Sequence, residues 1–176
     1  MNKLESALSQ IGSPLRLRKL IQELLATDIT IHAALLTGIH GWVVATKASD
    51  ETVNNSAVLQ NDDELLFAVA ANEIWEFEFW LRVNSSAVAD IKIAVTAPTG
   101  SSAFFAKMGD VVTAEKTNGQ AISLSCGGVN EHTKIRGLVV NGATAGNVQL
   151  QWAQDTAEVS NTSVLLQSHG IAKRLS

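Results

Sequence analysis

Trp75-Glu76-Phe77-Glu78-Phe79-Trp80-Leu81-Arg82-Val83 puts a large apolar side chain at every odd position and, Trp80 apart, a charged one at every even position. A period of two belongs to a strand with one face on a core and one face outward. Ile91, Ile93, Val95 and Ala97 repeat the alternation in the next run. The intervening 84–89, Asn-Ser-Ser-Ala-Val-Ala, has the small polar composition of a hairpin loop. Charge selects a register for such a hairpin. Leu81 beside Ile91 and Phe79 beside Ile93 place Arg82 opposite Asp90 and Lys92 near the ring of Trp80, whereas a slip by two sets Arg82 against Lys92. Directly opposed like charges are destabilising, so the first register is expected.

Working outward, further strands are expected at 63–69, 102–107, 121–126, 133–141, 147–153 and 163–174, with an entry strand somewhere in 42–59. Asn118-Gly119 and the 141–146 stretch Asn-Gly-Ala-Thr-Ala-Gly supply turn chemistry, since Asn and Gly accept positive φ at low cost. Eight or nine strands with regular turns and no intervening helix predict a mainly β, antiparallel sandwich over 42–176. Residues 1–41 read differently. Leu4, Ala7, Leu8 and Ile11 recur at helical spacing until Gly12 interrupts them. Ser13 then caps a second helix whose first position is Pro14, where the missing N–H costs nothing. Its stripe of Leu17, Leu20, Ile21 and Leu24 faces away from Arg16, Lys19 and Glu23, which predicts a short helical segment that docks on a partner or on its own domain.

Composition narrows the function classes. The chain of 176 residues is 46% hydrophobic but only 17% charged, against roughly 25% charged in a typical soluble domain. So much apolar surface with so little charge predicts that other chains cover part of it. Thirteen Lys and Arg against seventeen Asp and Glu give a net charge of -4, a poor match to a phosphate-tracking surface, so no nucleic acid partner is expected. Cys126 is the single cysteine, which excludes an intramolecular disulfide and leaves no Cys/His zinc set; a small buried hydrophobe is its expected role. The N-terminus lacks the continuous apolar run of a cleavable signal. Residues 29–45 carry no formal charge at neutral pH, yet two histidines, two glycines and a marginal length argue for a buried or subunit-facing segment and against a membrane span.

Catalytic and ligand chemistry finds little support. His32, His40, His132 and His169 are scattered, and no serine sits in a GxSxG elbow. Glu76 and Glu78 lie roughly 7 Å apart by strand rise, within glycosidase range, but an outward strand face explains them more simply. Asn61-Asp62-Asp63-Glu64 lacks EF-hand spacing and reads as a capped turn entering a strand. Gly137, Gly142 and Gly146 precede no helix and read as turn and close-packing positions rather than a phosphate cradle. Neither a metal nor a cofactor is expected, and no enzyme. Trp75 and Trp152 share the apolar parity of their strands and belong in the core. Trp80 falls with Ile74 and the carboxylates on the opposite face, which predicts a surface covered by Lys92 or by a neighbouring subunit.

Val58-Leu59-Gln60-Asn61-Asp62-Asp63-Glu64-Leu65, Trp75 through Arg82, Ala89-Asp90-Ile91-Lys92, Ala97-Pro98-Thr99-Gly100, Arg136-Gly137-Leu138-Val139-Val140-Asn141-Gly142 and Gly146-Asn147-Val148-Gln149-Leu150-Gln151-Trp152-Ala153-Gln154 together resemble a β-sandwich domain of tailed-phage structural proteins. The resemblance spans roughly 58–175 and implies a jelly-roll-like fold, commonly trimeric, in head- or tail-associated virion proteins. The implied role is a capsid decoration (cement) protein made in the host bacterial cytoplasm, a homotrimer whose partners are the major capsid protein or other virion proteins, with no membrane. Leu17, Leu20, Ile21, Leu24, Ile74 and Trp80 are its candidate interface residues. The alternative is a tail- or fibre-associated protein with a receptor- or glycan-binding head. That would draw on loops such as 85–88, 109–119 and 155–162, which are poor in aromatics. A glycan-cleaving enzyme would require Glu76 and Glu78 to converge in a cleft.

Overall fold

A computed structural model describes residues 42–109 and 114–176, together with positions 19, 22, 23 and 26. The chain divides into Met1–Gly41 and Trp42–Ser176. The helical stripe expected at Leu17, Leu20, Ile21 and Leu24 lies outside the described residues. So does the 29–41 part of the uncharged segment, whose last residues enter the first strand. No helix among the described residues is long and apolar enough to cross a membrane.

Trp42–Ser176 is built from antiparallel strands packed as a sandwich. They are β1 (Trp42–Thr46), β2 (Glu51–Val53), β3 (Gln60–Val69), β4 (Ile74–Asn84), β5 (Ile91–Thr96), β6 (Ser102–Met108), β7 (Lys116–Thr117), β8 (Ala121–Leu124), β9 (Glu131–Val140), β10 (Gly146–Gln154), β11 (Thr162–Val164) and β12 (His169–Arg174). The larger sheet has the order β1-β12-β4-β9-β6-β7, with β11 joining β2 to β4; the smaller has the order β3-β10-β5-β8. Twelve described strands exceed the eight or nine expected. The excess comes from the short β2 and β7 and from a break in 163–174, where Gln167 at φ 65° and the buried Ser168 turn the chain between β11 and β12. Gly119, at φ 76°, closes the turn expected at Asn118-Gly119.

The alternation of β4 is realised as read: Trp75, Phe77, Phe79, Leu81 and Val83 are buried. Its expected hairpin with β5 is not formed. β4 pairs with β9 on one side and with β12 and β11 on the other, while β5 lies in the smaller sheet between β10 and β8. Arg82 therefore faces His132, not Asp90. The connection is a corner that carries the chain from one sheet to the other. Asp90 adopts φ 51° and its N–H reaches Ser86 O at 2.9 Å, while its carboxylate accepts the Cys126 N–H at 2.8 Å. The buried Ser85 hydroxyl donates to Asp90 O and also meets Thr162 Oγ1 at 2.7 Å. Inward apolar faces of β4 and β5 meet across the core, an arrangement the alternation fits as well as side-by-side pairing.

Between the sheets, Phe67, Trp75, Phe77 and Phe79 form a chain of tilted rings with centroids 5.5–6.0 Å apart, and Trp152 and Leu150 complete the layer at 0% exposure. Room for two of these rings comes from glycine on the neighbouring strands. A Cβ on Gly137 would stand 2.5 Å from Phe77 Cζ, and one on Gly170 2.7 Å from Phe79 Cε1. These contacts match the close-packing role expected of Gly137. In β3 the pairing with β10 slips, so that 62–65 together oppose Leu150 alone. This wide bulge turns Asp62 into the interior, where it is 1% exposed. The capping expected at 61–64 is present, Asp62 Oδ1 accepting the Glu64 and Leu65 N–H groups, but it lies inside a strand that has already begun at Gln60 and not before it.

Candidate functional site

In a sandwich the outer face of each sheet meets water, so its side chains are normally polar or short. The smaller sheet is nearer that rule: Asn61 and Gln151, then Gln149 with Thr96 and Leu66, then Lys92 and Ser123 share its outward register, with the small Ala94 among them fully buried. The larger sheet breaks it. Opposite pairs along its outward register include Trp42 and Lys173, Val44 and Ile171, Ile74 and Val140, and Phe104 and Leu138. Trp42 is 56% exposed, Val44 63%, Trp80 44%, Met108 45%, Val140 39% and Phe104 36%.

A charged stripe divides this apolar face. Lys134 Nζ lies 3.2 Å from Glu78 Oε2, and Arg136 reaches Glu76 and Glu78 at 3.5 Å each. The two carboxylates are thus ion-paired to the cations of the adjacent β9. Trp80 is held in place from three sides. Its indole N–H donates to Glu78 Oε2 at 3.2 Å, Lys134 Nζ sits 4.0 Å from its ring centroid, and the His169 ring lies nearly parallel to it at 6.2 Å. The cation over Trp80 is therefore Lys134 from the adjacent β9, and the expected Lys92 belongs to the other sheet. Beside Trp80 runs a groove of about 340 Å³ lined by Arg82, Met108, His132, Lys134 and His169. Two histidines that looked scattered in the sequence meet along it. A smaller groove of about 160 Å³ is lined by Trp42, Glu76, Glu78, Arg136 and Ile171, so both carboxylates border it.

Of the candidate interface residues, Ile74 and Trp80 stand on this one face, six residues apart on β4; the other four precede the described sandwich. Sequence reading missed Phe104, Met108 and Val140. One signal was available for the first: Phe104-Phe105 within a strand must send one ring to each side, and only Phe105 is in the core. Cys126 is buried as expected, and burial, with the nearby Glu131 and Asp90 charges, pushes its thiol up to about 11. No group of three or more His, Cys, Asp or Glu able to hold a metal occurs among the described residues. Compared with known protein families, curated proteins and solved structures, the chain matches none.

Proposed function

We propose that this chain is a non-enzymatic structural subunit of a virion, a homotrimeric capsid decoration protein of jelly-roll type. Support for the jelly roll comes from four strand pairings: β1 with β12, β3 with β10, β4 with β9 and β5 with β8. Counting only those eight strands, first pairs with last, second with seventh, third with sixth and fourth with fifth, as when one long antiparallel ribbon folds over on itself. β6 and β7 are then an insertion on the edge of the larger sheet. The kind of assembly rests on the sequence resemblance to tailed-phage structural proteins, and the partners are copies of itself and the major capsid protein or other virion proteins.

The observation that carries an assembly role is the aromatic and aliphatic outer face of the larger sheet, set against the polar outer face of the smaller. Covering ~1,000 Å² of apolar surface would contribute a gross ~25 kcal/mol at ~25 cal/mol/Å², from which association costs are subtracted. Light scattering of the purified chain should give the mass of a trimer, and imaging of particles with and without it should show density lost from the capsid lattice. Density lost only from the tail would refute decoration. It would favour the second reading, a tail- or fibre-associated head that binds a glycan, for which the Trp80 groove with its cationic rim is the supporting observation.

A further inference from the structure

The β3 bulge holds an unusual cluster. Lys47, which follows β1, is 1% exposed, and its Nζ lies 2.7 Å from Glu51 Oε2, 3.0 Å from Asp62 Oδ2 and 3.7 Å from Glu64 Oε2. One carboxylate would neutralise one ammonium, and burying a charged pair is costly unless its geometry is excellent. The three carboxylates are not equivalent. Asp62 Oδ1 accepts two backbone N–H groups, from Glu64 at 3.0 Å and Leu65 at 2.9 Å. Its other oxygen, Oδ2, is buried, has no hydrogen-bond partner of regular geometry and faces the lysine. Glu51 is partly exposed and hydrogen-bonded to Nζ, with its second oxygen held by Gln60 Nε2 at 2.8 Å. Lys47 itself is pinned through its backbone, its N–H donating to Ser168 O and its carbonyl accepting from Gln167 N, both at 2.8 Å.

We propose that Lys47 and Asp62 condense to an intramolecular amide, with Glu51 moving the protons. Glu51 Oε2 takes a proton from the ammonium, and the freed amine attacks Asp62 Cγ to form the N–C bond. The negative charge that develops on Oδ1 is met by the two N–H groups already aimed at it, the arrangement that stabilises acyl-transfer intermediates. Glu51 relays this proton and a second one from the nitrogen to Oδ2; the Cγ–Oδ2 bond breaks and water leaves. The ammonium and carboxylate together lose one water, with no net uptake or release of protons and no other reactant. Two groups held in contact in a shielded site react with the effective concentration of an intramolecular pair. Condensation also removes both fully buried charges, while Glu51 and Glu64 keep contact with water at 17% and 27% side-chain exposure.

Tryptic mapping of the full chain, freshly refolded and after prolonged standing, reads the bond directly. Lys19, Lys47 and Arg82 are successive cleavage points, so an unlinked chain yields peptides 20–47 and 48–82. An acylated Lys47 resists cleavage, and the expected product is one 20–82 peptide lighter than its sequence by one water. Asp62→Asn should link with loss of one ammonia instead. Glu51→Gln should restore the two separate peptides at full mass in a protein that still melts cooperatively. Peptides 20–47 and 48–82 alone from aged wild type would overturn the proposal, and a Glu51→Gln chain that links like wild type would overturn the role of Glu51.

Discussion

At the scale of single residues, burial decides reactivity and room decides identity. Cys126 is enclosed, and its thiol sits near 11 because burial and the Glu131 charge both disfavour the thiolate. Native protein at pH 8 should therefore react with iodoacetamide at least about 100-fold more slowly than the urea-unfolded chain, whose thiol has an ordinary pKa; similar rates would show an accessible sulfur. Gly170 is fixed by Phe79, whose ring would lie 2.7 Å from any Cβ there. Gly170→Ala should cost about 1–3 kcal/mol of unfolding free energy as overpacking, read from urea midpoints. Glu73 illustrates how local contacts outweigh burial. Burial alone would raise its pKa, but the Ala70 N–H, the Trp75 indole N–H and Arg174 lower it below 4.5. A group with a lowered folded pKa contributes stability that is present above its unfolded value and lost as pH falls through the folded one. Wild type should thus lose part of its melting temperature below about pH 4.5, and Glu73→Gln should flatten that acid limb.

At the scale of elements, alternation legibly separates inside from outside but leaves pairing partners open. Every odd residue of 75–83 is buried, and Trp75 and Trp152 sit in the core as their parity requires. The same parity is satisfied whether β5 lies beside β4 or across from it. What decides is the corner at 84–90, where the Ser85 and Asp90 hydrogen bonds involve Thr162 and Cys126, residues remote in sequence and invisible to any local window. The candidate face was legible where an aromatic stood among charges at an even position, at Trp80. It was illegible where apolar residues occupy both faces of a strand, as at Phe104-Phe105. The β9 side chain that covers Trp80 has a measurable role. Lys134→Ala removes both the cation over the ring and the ion pair to Glu78. On a half-exposed site the expected loss is about 0.5–1 kcal/mol, read from urea midpoints.

At the scale of the whole molecule, the two outer faces make different demands on solvent. The smaller sheet presents mostly amides and short side chains, whereas Trp42, Val44, Phe104, Met108 and Val140 on the larger sheet leave apolar area in water. Part of the apolar content of the chain, 46% hydrophobic, is thus located on the outer face of one sheet. If that side is the contact between copies, a single charge within it should dissociate the assembly without unfolding the subunit. Val44 and Phe104 are the informative positions, because both side chains project outward from strands whose inward neighbours hold the core. Val44→Asp or Phe104→Asp should move the chain from trimer to monomer mass in light scattering, since burying an unpaired carboxylate in an interface costs several kcal/mol. Unfolding of the isolated subunit should be nearly unchanged, because surface substitutions away from caps and networks stay within about 0.5 kcal/mol. An Asp placed at Gln151, on the polar face of the smaller sheet, should leave the mass alone. Dissociation by the Gln151 variant but not by the Val44 or Phe104 variants would assign the contact to the opposite face.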